Sequence, residues 1–449
     1  MRLKLLTLAL TLAAVSLPSH GEDLLDAYRE ARANDPVLAQ ADATRLATGE
    51  GVNQARALLL PQISGSLSLN QTTGGNNGYV QDPNDPNQFI SSSTFGHSRT
   101  RSLNANLSQT VFDFSKYANL KAAHASANAQ DETYEAALQD LYVRVATAYF
   151  TVLTDEDQLT YAKANEDAYK EQYDQAVQQY KVGIAAITGE FQAKSYYEAA
   201  KAQTIAAQNT LDNDREALSQ ITGQPTGNLK KLRDELPMHS PDPADPDAWV
   251  KQALINNPSL LAQQQNVQAA DANVTAARSG HLPTITANVS YGKTASWYEN
   301  AAIHSNTPSQ TTVGLTLNVP IFSGGLVHSQ VRQSIYNRDA AQDSMEIERR
   351  QVKASTLNYY RSVLAGISQV QSGKAAVESA QKALDATRAG FNVGTQTMIN
   401  VLLAIQTLTQ AEGTYSQARH QLVLDRLLLK QSAGTASLDD LQEINALLQ

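Results

Sequence analysis

The side chains able to do covalent or metal chemistry are present but wrongly spaced for it. Eight histidines occur, yet no His-Glu-x-x-His pair sets two imidazoles on one helix face around a zinc ion. There is no cysteine, hence no thiolate ligand, no disulfide framework and no lipid-modified cysteine at a processed N-terminus. No Gly-x-Ser-x-Gly run offers a nucleophilic serine, and no ATP motif occurs, so any energy input must come from a partner. The acidic stretches Asp82-Pro83-Asn84-Asp85 and Asp242 to Asp247 have the composition of weak calcium sites, but solvated loops are the commoner fate of such runs. An enzyme is therefore the weakest reading, and no cofactor is implied.

The elements that would position a function are written twice. Asn34-Asp35-Pro36 returns as Asn256-Asn257-Pro258, and Leu60-Pro61 as Leu282-Pro283, both at an offset of 222. Val182-Gly183 returns as Val393-Gly394, and Ile221-Thr222-Gly223 as Ser432-Ala433-Gly434, at an offset of 211. That period is too long for a solenoid unit and reads as a duplicated half-molecule. It divides the chain into a signal peptide (1–21), a first repeat (22–222), a Pro- and Asp-rich linker (223–247), a second repeat (248–434) and a C-terminal tail (435–449). The signal reading rests on Arg2 and Lys4 before an apolar run from Leu5 to Val15, with Ser19-His20-Gly21 as the cleavage site. Its removal leaves 33 basic against 44 acidic residues, a balance of −11. No basic run stands out, which argues against a nucleic-acid partner. No later stretch is apolar for the roughly 18 residues a membrane helix needs.

Period-two alternation predicts four strands. Ile63, Gly65, Leu67 and Leu69 alternate with Ser64, Ser66, Ser68 and Asn70, and Leu103, Ala105 and Leu107 with Asn104, Asn106 and Ser108. A polar loop is expected between them, from Gln71 to Arg101. The second half repeats the pattern from Thr284 to Tyr291 and from Thr312 to Ile321. An ordinary half-buried sheet shares this alternation, but strand length and the uncharged Ser/Thr/Asn faces favour a transmembrane barrel wall. Four strands cannot close a barrel, and open edges cannot sit in lipid, so several copies must complete the wall. Trp297 and Tyr298 suit either an interfacial aromatic belt or loop packing.

Helices fill the rest. One is expected from about Asp23 to Leu59, stopped by Pro61. A second runs unbroken from about Lys116 to Tyr180, about 95 Å at 1.5 Å per residue. Leu138, Val145, Val152, Leu159, Tyr173 and Tyr180 recur every seven residues, Glu166 excepted, with Leu141, Ala148, Ala162, Tyr169 and Ala176 three positions on, Asp155 excepted. The second half keeps the register at Val363, Val370, Val377, Leu384 and Phe391, so coiled-coil packing is expected in both. Each long helix ends at a Val-Gly turn, and a returning helix follows, from about Gly189 to Gln220 and from about Thr397 to Lys430.

The whole mature chain resembles the TolC family of outer-membrane efflux and secretion channels. The resemblance rests on the paired Asn-x-Pro and Leu-Pro motifs, Thr147-Ala148-Tyr149-Phe150, Val319-Pro320-Ile321-Phe322-Ser323-Gly324-Gly325 and the two Val-Gly turns. It implies a mixed α/β membrane protein. Three chains would form a homotrimer with a 12-stranded transmembrane β-barrel, four strands per chain. That barrel would continue into a 12-helix periplasmic α-barrel of long coiled-coil hairpins, ringed by a mixed equatorial domain. It implies outer-membrane lipid around the barrel, and a periplasmic adaptor docking at Val182, Gly183, Val393 and Gly394. Passive conduction from an inner-membrane pump or ABC transporter would follow.

The family's gate aspartates fall here at Asn400 and Leu403, and its polar latch at Phe391, Gln396 and Gly189. Three amides cannot attract cations as carboxylates do, and a leucine ring favours a dewetted constriction. A different contact must lock this pore, or it rests less tightly shut. The rival reading is a periplasmic helical adaptor or tether without a pore, which leaves four uncharged alternating strand faces without a purpose.

Overall fold

A computed structural model describes residues 22–184, 186–298 and 308–449; the expected signal peptide lies outside them, as does most of the loop after Tyr298. In chain order the elements are α1 (Leu24–Asn34), α2 (Pro36–Ala57), β1 (Gln62–Asp82), β2 (Asp85–Phe112), α3 (Phe114–Lys181) and α4 (Ile187–Thr222). The second half follows with α5 (Pro246–Asn256), α6 (Pro258–Arg278), β3 (Thr284–Tyr298), β4 (Ser309–Asn318), α7 (Leu326–Asn392) and α8 (Met398–Ser432), and α9 (Leu438–Asn445) ends the chain. The order helix–helix–strand–strand–helix–helix thus occurs twice. Among the described residues no helix is long and apolar enough to cross a membrane.

The chain divides into two compact units. One holds residues 43–132 and 262–347, and its centre is a four-stranded antiparallel sheet in the order β1-β2-β3-β4. The alternating residues pair as their pattern requires, Leu67 opposite Leu103, Leu107 opposite Val289 and Val289 opposite Val313. Directly opposed residues share a face, so one face is apolar and the other carries Ser, Thr and Asn. The expected loop from Gln71 to Arg101 is instead sheet. β1 and β2 stay in register from Gln62↔Ser108 up to Gln81↔Phe89, and the chain turns only at Asp82–Asp85. The ladder is made by backbone groups, so it continues where Gly, Ser and Asn have erased the side-chain alternation. The carboxylates of that turn are occupied by the backbone itself: Asp82 accepts from Asn84 N–H at 2.8 Å and Asp85 from Asn87 N–H at 3.0 Å.

The other unit gathers the chain up to Asp42, Thr133–Leu261 and Glu348–Gln449. Its core joins Leu24 and Tyr28 of α1, Leu141 to Leu153 of α3, Leu218 of α4, Leu427 of α8 and Leu441 of α9. Tyr149 and Phe150 are wholly buried there, and the Tyr149 hydroxyl lies 3.0 Å from the carbonyls of both Glu22 and Lys230. Residues after Gly223 run as irregular chain against the C-terminus, where Lys231 and Gln449 exchange both backbone hydrogen bonds at 2.9 and 3.2 Å.

The first expected helix is broken in two. Proline lacks an N–H and disfavours helix in the residue before it, so α1 stops at Asn34 and α2 starts at Pro36. The repeated Asn-x-Pro motif then does two jobs. Asp35 and Asn257 cap α2 and α6, accepting from Leu38 N–H at 2.8 Å and Leu260 N–H at 3.2 Å. Asn34 and Asn257 donate to the last carbonyls of α4 and α8, Thr222 at 2.8 Å and Ser432 at 3.1 Å. Gly223 and Gly434 follow at φ 73° and 71°, and a Cβ on Gly434 would lie 2.3 Å from the Asn256 carbonyl. Glycine is required here by conformation and by contact alike.

Asp35 also receives both guanidinium arms of Arg144, at 2.7 and 3.1 Å, from α3. Burial pushes its carboxyl up, but the hydrogen bonds from Arg144 and Leu38 outweigh that and hold it below the usual carboxylate range. A carboxylate lowered on folding stabilises above its unfolded pKa, and this support disappears as pH falls through the folded value. Asp35→Ala is expected to cost about 3 kcal/mol at pH 7, from a lost cap and a lost guanidinium fork that leaves Arg144 only its Nε bond to Asp140 at 2.8 Å. The deficit relative to wild type should shrink on acidification below about pH 4, as measured by denaturant unfolding.

Candidate functional site

Both Val-Gly turns close in the same way. Gly183 and Gly394 take φ 78° and 83°, and the next residue's N–H reaches back five residues, Ile184 to Gln179 at 3.0 Å and Thr395 to Gly390 at 2.9 Å. Only glycine enters this left-handed region without strain, so the two turns mark where the chain reverses. They present different chemistry. The α3–α4 turn exposes Val182, Ile184, Ile187 and Phe191, whereas beyond Val393 the α7–α8 turn is Gly394, Thr395, Gln396 and Thr397.

Beneath the turns is a small core of Tyr169 from α3, Ala200 from α4, Leu384 from α7 and Val401, Leu402 and Ile405 from α8. Phe391 packs against it from its own chain. Val401 and Leu402 point inward, so their neighbours Asn400 and Leu403 face outward and are exposed. The amide of Asn400 donates to Gln396 Oε1 at 2.7 Å, one turn earlier. The structure thus joins Asn400 to Gln396 and sets Leu403 on the same stripe of α8. It keeps Phe391 in the core, and Gly189 has open space around it. The exposed stripe continues through Thr407, Gln410, Thr414 and Gln417 without a charge.

A polar seam between α3 and α8 escaped the reading of the sequence. The Tyr169 hydroxyl donates to the Leu402 carbonyl at 3.2 Å, Ser416 donates to Asp157 at 2.6 Å, and Thr409 donates to Asn165 at 3.3 Å. Thr154 meets His420 Nδ1 at 2.8 Å, and burial pushes that imidazole down to about 4. Polar residues on a heptad register look like surface positions, and only the heptad step from Thr409 to Ser416 on α8 could have signalled a seam. Beside it lies a cavity of about 430 Å³ lined by amides and hydroxyls, among them Gln158, Asn165, Gln203 and Thr409. The heptad itself holds at Leu159, Ala162, Tyr169 and Ala176, all buried, but Tyr180 is exposed and Tyr173 instead stacks on Tyr197 at 6.1 Å.

These features meet known proteins at every level. The solved outer membrane channel CmeC of Campylobacter jejuni superposes with a TM-score of 0.76 at 16% identity, covering 95% of this chain and 90% of that one. The profile described as Outer membrane efflux protein matches residues 27–224 and 249–435. Outer membrane protein TolC of Escherichia coli is 35% identical over 98% of this chain and 87% of its own length. The alkaline protease secretion protein AprF of Pseudomonas aeruginosa is 26% identical over 94% and 86%. The fold is that of outer-membrane channel subunits, predominantly helical with one sheet. The chain belongs to the outer membrane efflux protein family. It serves in a Gram-negative outer membrane as an exit duct for efflux or secretion, and it is not an enzyme.

One buried group near the seam makes stability depend on pH. Asp155 of α3, the heptad exception, faces Asp214 of α4, and its carboxyl is pushed up to about 7 by burial and then by that neighbour. A carboxyl raised on folding stabilises most at low pH, and the contribution is lost as pH rises through the folded value. Asp155→Asn is therefore expected to raise the Tm at pH 8.5 and to change it little at pH 4, close to the unfolded carboxyl pKa of about 3.9; thermal unfolding at both values checks the difference.

Proposed function

We propose that three copies of this chain assemble into one continuous duct. Each would contribute four strands to a twelve-stranded barrel in the outer membrane and four long helices to a twelve-helix periplasmic tunnel. The observation that carries the proposal is the sheet. β1 and β4 are its outer strands, and among the described residues neither pairs with a further strand. Every residue of β4 is exposed, and Ile63, Leu67, Leu69, Val313, Leu315 and Leu317 leave one apolar face bare. Lipid against that face and a neighbouring copy against each edge satisfy both demands together. The opposite face, uncharged Ser, Thr and Asn, then lines water.

The heptad helices and their polar seam support the tunnel, and the turns form its inner end. There Asn400 and Leu403 make the constriction. The Asn400–Gln396 amide pair and the packing of Phe391 take the place of a charged latch, while Gly189 adds no side chain. Val182, Gly183, Val393 and Gly394 receive a periplasmic adaptor, which couples the duct to an inner-membrane pump or ABC transporter. Conduction is passive and the transporter chooses the cargo. The boundaries between repeats, linker and tail follow the two halves of this scheme.

Membrane extraction tests it directly. Detergent-requiring, heat-modifiable trimers that conduct in planar bilayers are expected; a monodisperse monomer in plain buffer would return the protein to the tether reading. With amides and leucines at the constriction, block by multivalent cations is expected to be weak, and tight block at millimolar or lower concentration in single-channel recordings counts against the assignment. Leu403→Asp should shift the reversal potential in a salt gradient toward cation selectivity, because it returns three carboxylates to the ring.

A further inference from the structure

Every lysine and arginine of the sheet lies on its apolar face. The four strands hold three such residues, Arg99, Arg101 and Lys293. Arg101 opposes Leu69 and Ala295, Arg99 opposes Gln71 and Trp297, and Lys293 opposes Leu103. All three therefore share a face with the leucines of the alternating pattern. They also share one end of it, where the alternation stops and β1 and β2 continue toward their hairpin.

The strands contain no acidic residue except Asp82 and Asp85 at the turn, and no salt bridge to the three cations occurs among the described residues. Arg99 Nε donates to Gln71 Oε1 at 3.1 Å, and the Arg101 guanidinium sits 5.7 Å from the Trp297 ring centre. Both arginines keep donors free and exposed. Between Arg99 and Trp297 lies a shallow cavity of about 570 Å³, floored by Leu69.

A cation on a lipid-facing strand costs about 2–4 kcal/mol at the bilayer midplane and about 0–1 kcal/mol at the interface. Along β3 the apolar face from Ile285 to Ala295 spans about 33 Å of strand, or about 25 Å of height at a barrel strand's tilt, which matches the height of a barrel's apolar band. The cations lie at its outer edge, Lys293 opposite Leu103, Arg101 opposite Leu69 and Ala295, and Arg99 next along the same face, opposite a tryptophan, which is the residue of membrane interfaces. Phosphate supplies the acceptors that the protein withholds, and guanidinium binds it in a fork. We infer that Arg99, Arg101, Lys293 and Trp297 form a site for the phosphate groups of an outer-leaflet lipid, whose acyl chains cover the adjoining leucines. The inference rests on the barrel reading above, with the hairpin end facing outward. A lipid is the occupant because the basic cluster is continuous with the apolar band.

The test uses the full mature protein in phosphatidylcholine nanodiscs titrated with diphosphoryl lipid A, with retained lipid measured by native mass spectrometry. Wild type should retain lipid A in preference to phosphatidylcholine, and its dephosphorylated form should lose that preference. R99Q/R101Q/K293Q should bind about 100-fold more weakly, while R99K/R101K, which keeps the charge and loses the fork, should fall between that variant and wild type. If the triple variant does not assemble, K293Q alone should show about fivefold weaker retention. Equal retention by wild type and variants overturns the site, and so does complete displacement of the lipid by inorganic phosphate at 1 mM, which would make it a simple anion site. Wild type that conducts but lacks the preference overturns the site alone; wild type that neither inserts nor conducts overturns the channel reading with it.

Discussion

Every second residue on an unpaired antiparallel edge presents an N–H and a C=O, and each costs several kcal/mol when hydrocarbon replaces water. Among its described residues this chain carries two such edges, on β1 and β4, and leaves the apolar face between them uncovered. A soluble protein would lay a helix across that face. The unit containing the sheet does hold helices, but their buried side chains are largely alanines, Ala118, Ala122, Ala125 and Ala129 of α3 and Ala269 and Ala272 of α6. Such a surface packs helix on helix at close approach and leaves the leucines of the strands exposed. Assembly in a membrane is the condition under which both the edges and the face are satisfied.

The parts of the fold that were legible in the sequence are those in which side chains dictate structure. Alternation at Ile63 to Asn70 and Thr284 to Tyr291 gave strands whose register the pairing reproduces, because a one-residue slip would exchange the two faces. The long helices were legible because nothing interrupts them, and the Val-Gly turns because a left-handed residue must be glycine. What was not legible depends on the backbone or on remote partners. The extension of β1 and β2 through Gly74, Gly75 and Gly78 is held by ladder hydrogen bonds to which side chains contribute little. The break at Pro36 was overlooked because the apolar pattern carries on through it, although the missing N–H decides the matter.

The candidate site divides along the same line. The outward setting of Asn400 and Leu403 follows from the burial of Val401 and Leu402 between them, which a helical period predicts. The contacts that fix α8 in place do not follow from it. Tyr169, Ser416, Thr409 and His420 reach across from positions 233 to 266 residues apart in the chain. Hydrogen bonds of this kind are individually worth about 1 kcal/mol, and they exchange readily with water. A seam built from them holds α3 and α8 in one arrangement, yet can part at far lower cost than an apolar seam of equal length, whose separation would expose buried leucines to solvent.

Charge placement completes the picture. The Ser, Thr and Asn face of the strands carries no charge short of the Asp82–Asp85 turn, the α8 stripe from Gln396 to Gln417 carries none, and the three cations of the sheet are all on the apolar face. In the proposed trimer this produces a passage whose walls, Leu403 apart, offer hydrogen bonds and a fixed field nowhere along those stretches. An ion or polypeptide moving through it meets neither a charged trap nor a charged barrier, so the duct adds little discrimination of its own. In the proposed assembly, selection is then made before entry, by the transporter. A conduit that is chemically indifferent can serve whichever transporter is coupled to it.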